Sequence, residues 1–220
     1  MKMCVLTMSS KGDGICLTGY NLDNGKWVRI VSNEEGDAIS RNLMKEANIL
    51  DVIEFDIDKY VPIRWSKENV IVKNIKVIGK KSKYEIFCKY GIDNDDLLFD
   101  DGECYVKEKN LPNLNKTLMI INVKNAIIKT KLDSNEECIQ YIEFKYKERN
   151  YHLKITDLSF PYNLTDDLTG TILENVVVVC SVQGKLKPNS HCYKFACQIF
   201  DISNEQNIIN NLKYKSDAYE

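Results

Sequence analysis

Apolar and polar residues alternate along much of this chain, a pattern that predicts β-strands with one buried face. Between residues 50 and 57, the apolar positions are Val52, Ile53, Phe55 and Ile57, and acidic residues lie between them. Comparable runs rich in β-branched residues occur at 2–7, 14–20, 26–31, 69–78, 117–123, 126–132, 138–147, 151–155, 175–181 and 192–200. Long helices do not alternate with these runs, so a parallel α/β sheet is disfavoured. Two groups of short strands instead predict a mostly β protein with two small closed or partly open barrels.

The clearest turn signal is Asn24-Gly25, which lies between the runs 14–20 and 26–31. Asn and Gly both tolerate positive φ, as the tight turns of β-hairpins require. We therefore predict a hairpin here, and a second tight turn at residues 148–150.

Residues 80–116 separate the two groups of strands and predict a short helical connector. Its acidic stretch, 91–102, lacks the alternating oxygen ligands and late Glu of a calcium loop, which favours a solvated turn. In the tail, Ser203 followed by Gln206 matches a capping box and predicts a short C-terminal helix. The predicted layout is an N-terminal barrel at 1–79, a connector at 80–116, a C-terminal barrel at 117–202, and a tail helix with the C-terminus at 203–220.

Charge and composition limit the classes of function. The 220 residues carry a formal net charge of -2, so no molecule-wide field attracts nucleic acid, and any phosphate binding must come from a local face. The longest apolar stretch, 176–180, is far too short to span a membrane. No signal peptide pattern opens the chain, and we therefore expect a cytoplasmic protein without membrane association.

Cysteine usage argues against a metal site. The chain has eight cysteines but no Cys-x-x-Cys pair, and Cys192 and Cys197 are separated by an odd number of positions, which puts them on opposite faces of a strand. Buried reduced thiols are the favoured interpretation. We expect no cofactor and no metal.

Trp27, Arg29 and Ser32 form the first candidate ligand-binding group. Trp27 and Arg29 are two positions apart on one strand and therefore share a face. An aromatic ring beside a guanidinium can stack on a base and hold a phosphate, with Ser32 as a further donor. The alternative is a packed Trp with Arg lying along the surface beside it, and a Ser that only closes a turn.

His152, Thr156 and Asp157 form a second candidate group, because His152 and Thr156 share one strand face and Asp157 follows at the strand end. Acid–base chemistry is one interpretation. The favoured alternative is structural, with Thr156 and Asp157 capping the loop before Pro161. No Gly-rich phosphate loop or hydrolase motif accompanies them, so we expect a binding module more than an enzyme.

Ser181, His191 and Lys194 lie near the ends of the last two strands. With Lys185 and Lys187, the latter two give the second barrel a possible basic edge, although a solvated loop is an equal alternative. A Lys194 facing inward needs a partner such as Asp157, or a ligand. The densest basic run is in the first half, where an aromatic residue accompanies it: Lys73, Lys76, Lys80, Lys81, Lys83 and Tyr84.

Five phrases in this order resemble the bacterial dual OB-containing domain proteins. They are GYNLDNGKWVRIVS at 19–32, LDVIE at 50–54, YHLKITD at 151–157, VCSVQG at 179–184 and HCYKFACQIF at 191–200. The resemblance covers about residues 1–200 and implies two OB-like barrels. It also implies recognition of nucleic acid or of a nucleotide-type ligand in a bacterial defence or conflict system. The expected partner is single-stranded nucleic acid or a nucleotide. The alternative is a protein-interaction subunit of a larger complex, and an enzyme with a site between the barrels is the least supported.

Overall fold

The computed structural model describes residues 1–44, 46–63, 65–132, 138–160, 169–182 and 191–217, and the chain divides into two units, 1–90 and 91–220. Unit 1 holds β1 (Lys2–Lys11), β2 (Gly14–Asn21), β3 (Trp27–Ile30), β4 (Asp51–Tyr60) and β5 (Asn69–Lys80). These strands form a closed barrel in the order β1-β2-β3-β5-β4. A 3₁₀ turn at Arg41–Met44 and helix α1 (Lys83–Tyr90) complete the unit.

Unit 2 repeats this strand order. It holds β6 (Tyr105–Lys107), β7 (Leu118–Leu132), β8 (Cys138–Tyr146), β9 (Arg149–Ile155), β10 (Ile172–Val182) and β11 (His191–Asp201), followed by helix α2 (Gln206–Asp217). Strands β7, β8, β9, β11 and β10 pair in that order and close through the β10–β7 ladder, while β6 adds to β11 outside the ring. In both units the third and fifth barrel strands are parallel and every other pairing is antiparallel. The predicted mostly β architecture with two OB-like barrels is confirmed.

The strand pattern explains both barrels. Alternate side chains of β3 and β9 point inward, so Val28 and Ile30 in unit 1, like Leu153 and Ile155 in unit 2, are at most 5% exposed. Their removal from water is the main driving force for closing each ring. The side chains between them point outward, and these outer positions carry the candidate chemistry.

The hairpin predicted at Asn24-Gly25 is present. Tyr20 pairs with Trp27, Gly25 has a φ of 68°, and its N–H donates to the carbonyl of Asn21 at 2.8 Å. A Cβ at Gly25 would also lie 2.9 Å from the ring of Tyr90, so both backbone conformation and space favour glycine.

Two other expectations are corrected. The separate strands predicted at 117–123 and 126–132 are one strand, β7, that bends at Asn125, whose φ is 55°. The capping box at Ser203 is absent, because α2 begins at Gln206 and the Ser203 hydroxyl instead accepts from the Asn175 N–H at 3.2 Å.

The residues predicted as a connector fall into both units. Helix α1 belongs to unit 1, whereas residues 91–116 form two 3₁₀ turns, at Leu98–Asp100 and Glu108–Asn113, and strand β6 in unit 2. Part of the acidic stretch is structural, because Lys116 bridges Asp93 and Asp95 at 2.7 and 2.6 Å. Asp93 also accepts the Ile120 N–H at 2.7 Å, which ties this segment to β7.

Candidate functional site

Arg29 does not present its charge on the outer face of β3. Its side chain is 9% exposed, and its Nη2 and Nε lie 2.9 and 3.0 Å from the carboxylate of Glu68. The third nitrogen, Nη1, donates to the Cys16 sulfur at 3.7 Å. This buried pair neutralises the guanidinium, so Arg29 holds β3 against the residue before β5.

Trp27 packs over Tyr20, with ring centroids 4.3 Å apart, and Tyr20 packs on Tyr90 of α1 at 5.4 Å. The indole is half-buried, which agrees with the packed alternative more closely than with a free stacking surface. Ser32 is exposed, and its N–H donates to the carbonyl of Asp37 at 3.0 Å, which closes a short loop. The structure therefore gives Trp27, Arg29 and Ser32 three different environments.

The basic run of unit 1 is matched by carboxylates. Lys73 pairs with Asp58 at 2.8 Å, and Lys76 pairs with Glu54 at 3.0 Å across the β4–β5 ladder. These lysines hold the pKa of both carboxyl groups below the ordinary value. Further along the run, the hydrogen bond from Lys81 is the largest cause lowering the pKa of Glu85 to about 2. An alternating ladder of opposite charges does not form a cationic surface.

The outer face of β7, β8 and β9 in unit 2 is different. Tyr141 of β8 lies between Lys129 of β7 and Lys154 of β9 in the strand register. Tyr141 and Lys129 are half-buried and Lys154 is exposed. Neither lysine has an ion pair within the part of the chain that the structure describes. The Tyr141 ring therefore lies between two lysines that have no ion pair among the described residues. We call Lys129, Tyr141 and Lys154 the row.

His152 extends this face. Its ring stacks on Tyr141 with centroids 4.3 Å apart and planes at 22°, and its Nδ1 lies 2.9 Å from Glu143. Lys131 places its ammonium 5.5 Å from the centre of the Tyr141 ring. These contacts place the Tyr141 ring in an aromatic and cationic cluster on this face.

Asp157 has a structural role in the fold. It is 1% exposed and accepts hydrogen bonds from the N–H and hydroxyl of Ser159, from Gln198 Nε2 at 2.6 Å and from the Ile199 N–H at 3.1 Å. Burial raises its pKa despite these donors. The Thr156 hydroxyl turns to the Ala196 carbonyl at 3.5 Å. Asp157 therefore fastens the end of β9 to β11.

Lys194 faces inward, but its partner is not Asp157. Lys194 is 2% exposed, and its ammonium donates to the carbonyls of Asp101 and Glu103 at 2.7 and 2.6 Å, with the Tyr151 ring 5.3 Å away. Burial is the main cause that lowers its pKa to about 8. The polar groups of His152, Asp157 and Lys194 thus have three separate sets of partners, and the contacts do not join them into an acid–base group.

Ser181 and His191 lie in different surroundings. Ser181 is 6% exposed and pairs in register with Phe195 of β11. His191 is half-buried and stacks on Tyr105 of β6, with centroids 3.7 Å apart. Lys185 and Lys187, which were to complete a basic edge with His191, lie outside the described residues.

Across the residues described, no group of three or more His, Cys, Asp or Glu side chains could hold a metal ion. None of the helices placed in the structure combines the length and apolar character needed to cross a bilayer. All eight cysteines are present as thiols, and Cys138 is exposed.

Sequence reasoning missed the row. Lys129, Tyr141 and Lys154 lie on three strands far apart in the chain, and only the strand register brings them together. Alignment of the two units by strand register would have pointed to these residues, because Tyr141 and Lys154 occupy the positions of Thr18 and Arg29 in unit 1. The sequence points to His152 for acid–base chemistry, whereas the structure shows it stacked on Tyr141.

Comparisons with known proteins identify the family. The family model described as the dual OB-containing domain matches residues 1–199. No curated protein matches the chain. Similar solved structures include a murine DNA-binding protein bound to double-stranded DNA and the Ifi202 HINa domain in complex with 20 bp double-stranded DNA. The first shares 8% sequence identity with this chain, and the match covers 91% of this chain and 98% of that one, with a TM-score of 0.34. The second shares 14% identity, and the match covers 91% of this chain and 93% of that one, with a TM-score of 0.35. TM-scores this low do not inform the ligand of this chain.

Proposed function

We propose that this chain, which belongs to the dual OB-containing domain family, binds single-stranded nucleic acid through the outer face of β7, β8 and β9. The observation that carries the proposal is the row. It places the Tyr141 ring between two lysines that have no carboxylate partner among the described residues. Strands β8 and β9 are the second and third strands of their barrel, the pair that presents oligonucleotide sites in OB-folds.

The chemistry of the row suits a single strand. Base stacking on an aromatic side chain contributes about 1–3 kcal/mol per base and tolerates any sequence. Lys129 and Lys154 on either side of Tyr141 suit the phosphates that join successive bases. Paired bases in a duplex are already stacked on each other, so the exposed rings of a single strand match Tyr141 better.

Local charge matters here because the whole chain has a formal net charge of -2. Glu143, a carboxylate beside the row, accepts from His152 and lies opposite Ile127 and not opposite a lysine of the row. The face therefore offers cationic groups in a molecule that is otherwise close to neutral, and binding should weaken as salt rises.

Fluorescence anisotropy with labelled single-stranded RNA and DNA of about twelve nucleotides, inside the usual site size of an OB-fold, tests this proposal. Tyr141→Leu and Lys154→Gln should each weaken binding. Tyr60→Leu, which removes a 64% exposed tyrosine from unit 1, and Lys124→Gln, which removes an exposed lysine elsewhere on β7, are matched controls and should not. Duplex DNA and mononucleotides serve as competitors. Equal affinity for all variants, or no salt-dependent binding, contradicts the proposal.

A protein-interaction subunit is the second candidate. The favouring observation is a set of exposed apolar side chains in unit 1: Tyr60 at 64%, Tyr84 at 48%, Ile78 at 43% and Val77 at 42%. Co-purification with the products of neighbouring genes, lost in a Val77→Ser/Ile78→Ser double variant and retained in Lys154→Gln, would favour it. We also propose a role in bacterial defence and a cytoplasmic location for this protein.

A further inference from the structure

Strand β6 and the start of β11 form a two-stranded ribbon with two distinct faces. His191 pairs with Lys107, and Tyr193 pairs with Tyr105. Between them, Val106 and Cys192 are 1% and 0% exposed and point into the unit. Because strand side chains alternate, Tyr105, Lys107, His191 and Tyr193 share the outer face. We call these four residues the ribbon face.

Three aromatic rings are grouped on the ribbon face. The rings of Tyr105 and His191 are stacked, with centroids 3.7 Å apart and planes at 10°. Tyr193 meets both edge-on, 6.2 Å from each centroid. All three side chains are half-buried, so they are neither core residues nor freely rotating surface groups. The planes are held in place by one another, which lowers the entropy lost on stacking a further ring.

The ribbon face repeats the chemistry of the row. The chain has two histidines, and each stacks on a tyrosine of unit 2: His152 on Tyr141 and His191 on Tyr105. A lysine accompanies each pair, since Lys107 is exposed and lies opposite His191. Lys107 has no ion pair with any residue placed in the structure. Aromatic planes beside an exposed lysine suit a base and its phosphate.

The two faces are continuous through the parallel pairing of β9 and β11. Lys154 of the row lies opposite Phe195, and Phe195 follows Tyr193 by two positions on the same outer face. From Tyr141 the path crosses two strand intervals, about 10 Å, and then runs about 13 Å along β11 to His191. One nucleotide cannot span such a path, whereas a short oligonucleotide can.

From this juxtaposition we infer that the ribbon face is a second base-stacking subsite, which extends the single-stranded nucleic acid site of unit 2 beyond the row. The inference rests on the proposed function. It assigns Tyr105 and His191 to stacking on a base, Tyr193 to supporting both rings, and Lys107 to an adjacent phosphate. An oligonucleotide long enough to reach both faces should bind more tightly than one that covers the row alone.

The test is the length dependence of binding. Anisotropy titrations compare oligothymidylates of about four and about twelve nucleotides, which bracket the smaller site sizes of OB-folds. Tyr105→Leu and His191→Leu should each weaken binding of the longer oligonucleotide by about tenfold, the loss expected for one stacked base, and leave the shorter one unchanged. Tyr141→Leu should weaken both. Tyr60→Leu in unit 1 is the matched aromatic control, and thermal melting of every variant checks that it is folded.

Lys107→Gln supplies a second measurement that does not alter the rings. It should lower the slope of log affinity against log salt by about 0.7 for the longer oligonucleotide, as one lost phosphate contact does, and not for the shorter. Equal losses for both lengths, or no loss with folded Tyr105→Leu and His191→Leu proteins, overturn the ribbon subsite and leave the row intact. Failure of wild-type protein to bind either length overturns the proposed function itself.

Discussion

The two barrels share strand order and register but differ in the charge that they offer to solvent. Arg29 lies opposite Thr18 and Asn69 in unit 1, and Lys154 lies opposite Tyr141 and Phe195 at the equivalent place in unit 2. One cation is buried in an ion pair and the other is exposed. Equivalent backbone positions therefore carry different chemistry, and the fold alone does not determine which barrel binds a ligand.

The difference in exposure between these two cations follows from the residue that precedes the first paired residue of the fifth strand. In unit 1 it is Glu68, which neutralises Arg29. By register, the corresponding residue in unit 2 is Lys194, which turns inward to the carbonyls of Asp101 and Glu103. Unit 2 thus lacks at this position the acid that would bind Lys154. Arg29 on the third strand of unit 1 has a structural role because an acid precedes the fifth strand. Lys154, at the equivalent position of unit 2, has no acid at that place and can contact a ligand.

The buried ion pair gives the largest expected effect. Arg29→Gln removes the positive charge that faces the Glu68 carboxylate, which is 13% exposed, and should lower the free energy of unfolding by about 3 kcal/mol. Urea denaturation followed by tryptophan fluorescence measures this loss. Nucleic acid affinity of the folded variant should stay unchanged, because the guanidinium faces Glu68. A stable Arg29→Gln protein with weakened binding would reverse the roles assigned to the two barrels.

The buried amine of Lys194 gives the next effect, and its sign is set by its lowered pKa. With the folded pKa about 8 and the ordinary value 10.5, the unfolded chain binds the proton more readily between these values. Stability from this group therefore rises as pH increases from 8 to 10.5. Relative to Lys194→Met, the wild type should gain on the order of 2 kcal/mol between pH 8 and pH 10, at about 1.4 kcal/mol per unit.

The comparison with Lys194→Met is necessary because other groups titrate in the same range. Burial raises the pKa of Tyr146 well above its ordinary value and the pKa of Cys4 to about 12, so their ionisation in the unfolded chain lowers stability as pH rises. Denaturation at several pH values in both proteins cancels these contributions. A difference between the two proteins that is constant with pH would show that Lys194 titrates normally.

Sequence alone predicts the backbone of this protein better than its site. Alternation along the chain and the Asn24-Gly25 turn predict the strands, because both depend on neighbours in sequence. Strand β6 is missed because its three residues are too few to show a period. The single strand β7 is predicted as two because the bend at Asn125 interrupts the apolar pattern.

The site depends on pairings that no local pattern contains. Trp27 and Arg29 do share a face as predicted, but Glu68, which is 39 positions from Arg29, neutralises the guanidinium. Similarly, the lysine run of unit 1 is cationic in the sequence, but in the folded unit acidic side chains of β4 lie beside these lysines and neutralise them. Whether a charged side chain is free to contact a ligand depends on the residues that the strand register places beside it, and composition does not reveal those neighbours.

Charge reversal at Lys154 tests whether the cation of unit 2 contributes to binding. Lys154→Glu replaces the exposed ammonium opposite Tyr141 with a carboxylate and should weaken single-strand binding by about tenfold at low salt, with less effect at high salt. The exposed position predicts unchanged stability. Anisotropy at two or more salt concentrations measures the loss. A loss that does not depend on salt would point to damaged packing and not to lost charge.

The smallest expected effect concerns the charge ladder of unit 1. Lys73→Gln removes a lysine that pairs with Asp58 on the exposed surface of the β4–β5 ladder. Exposed pairs contribute little because solvent screens both charges, so neither the denaturation midpoint nor the affinity for oligonucleotide should change measurably. Parallel denaturation and anisotropy experiments compare it with Lys154→Gln, which removes the same charge from unit 2. Weaker binding in Lys73→Gln equal to that in Lys154→Gln would mean that the ladder, although matched by acids, also attracts the strand, and the distinction between the barrels would then fail.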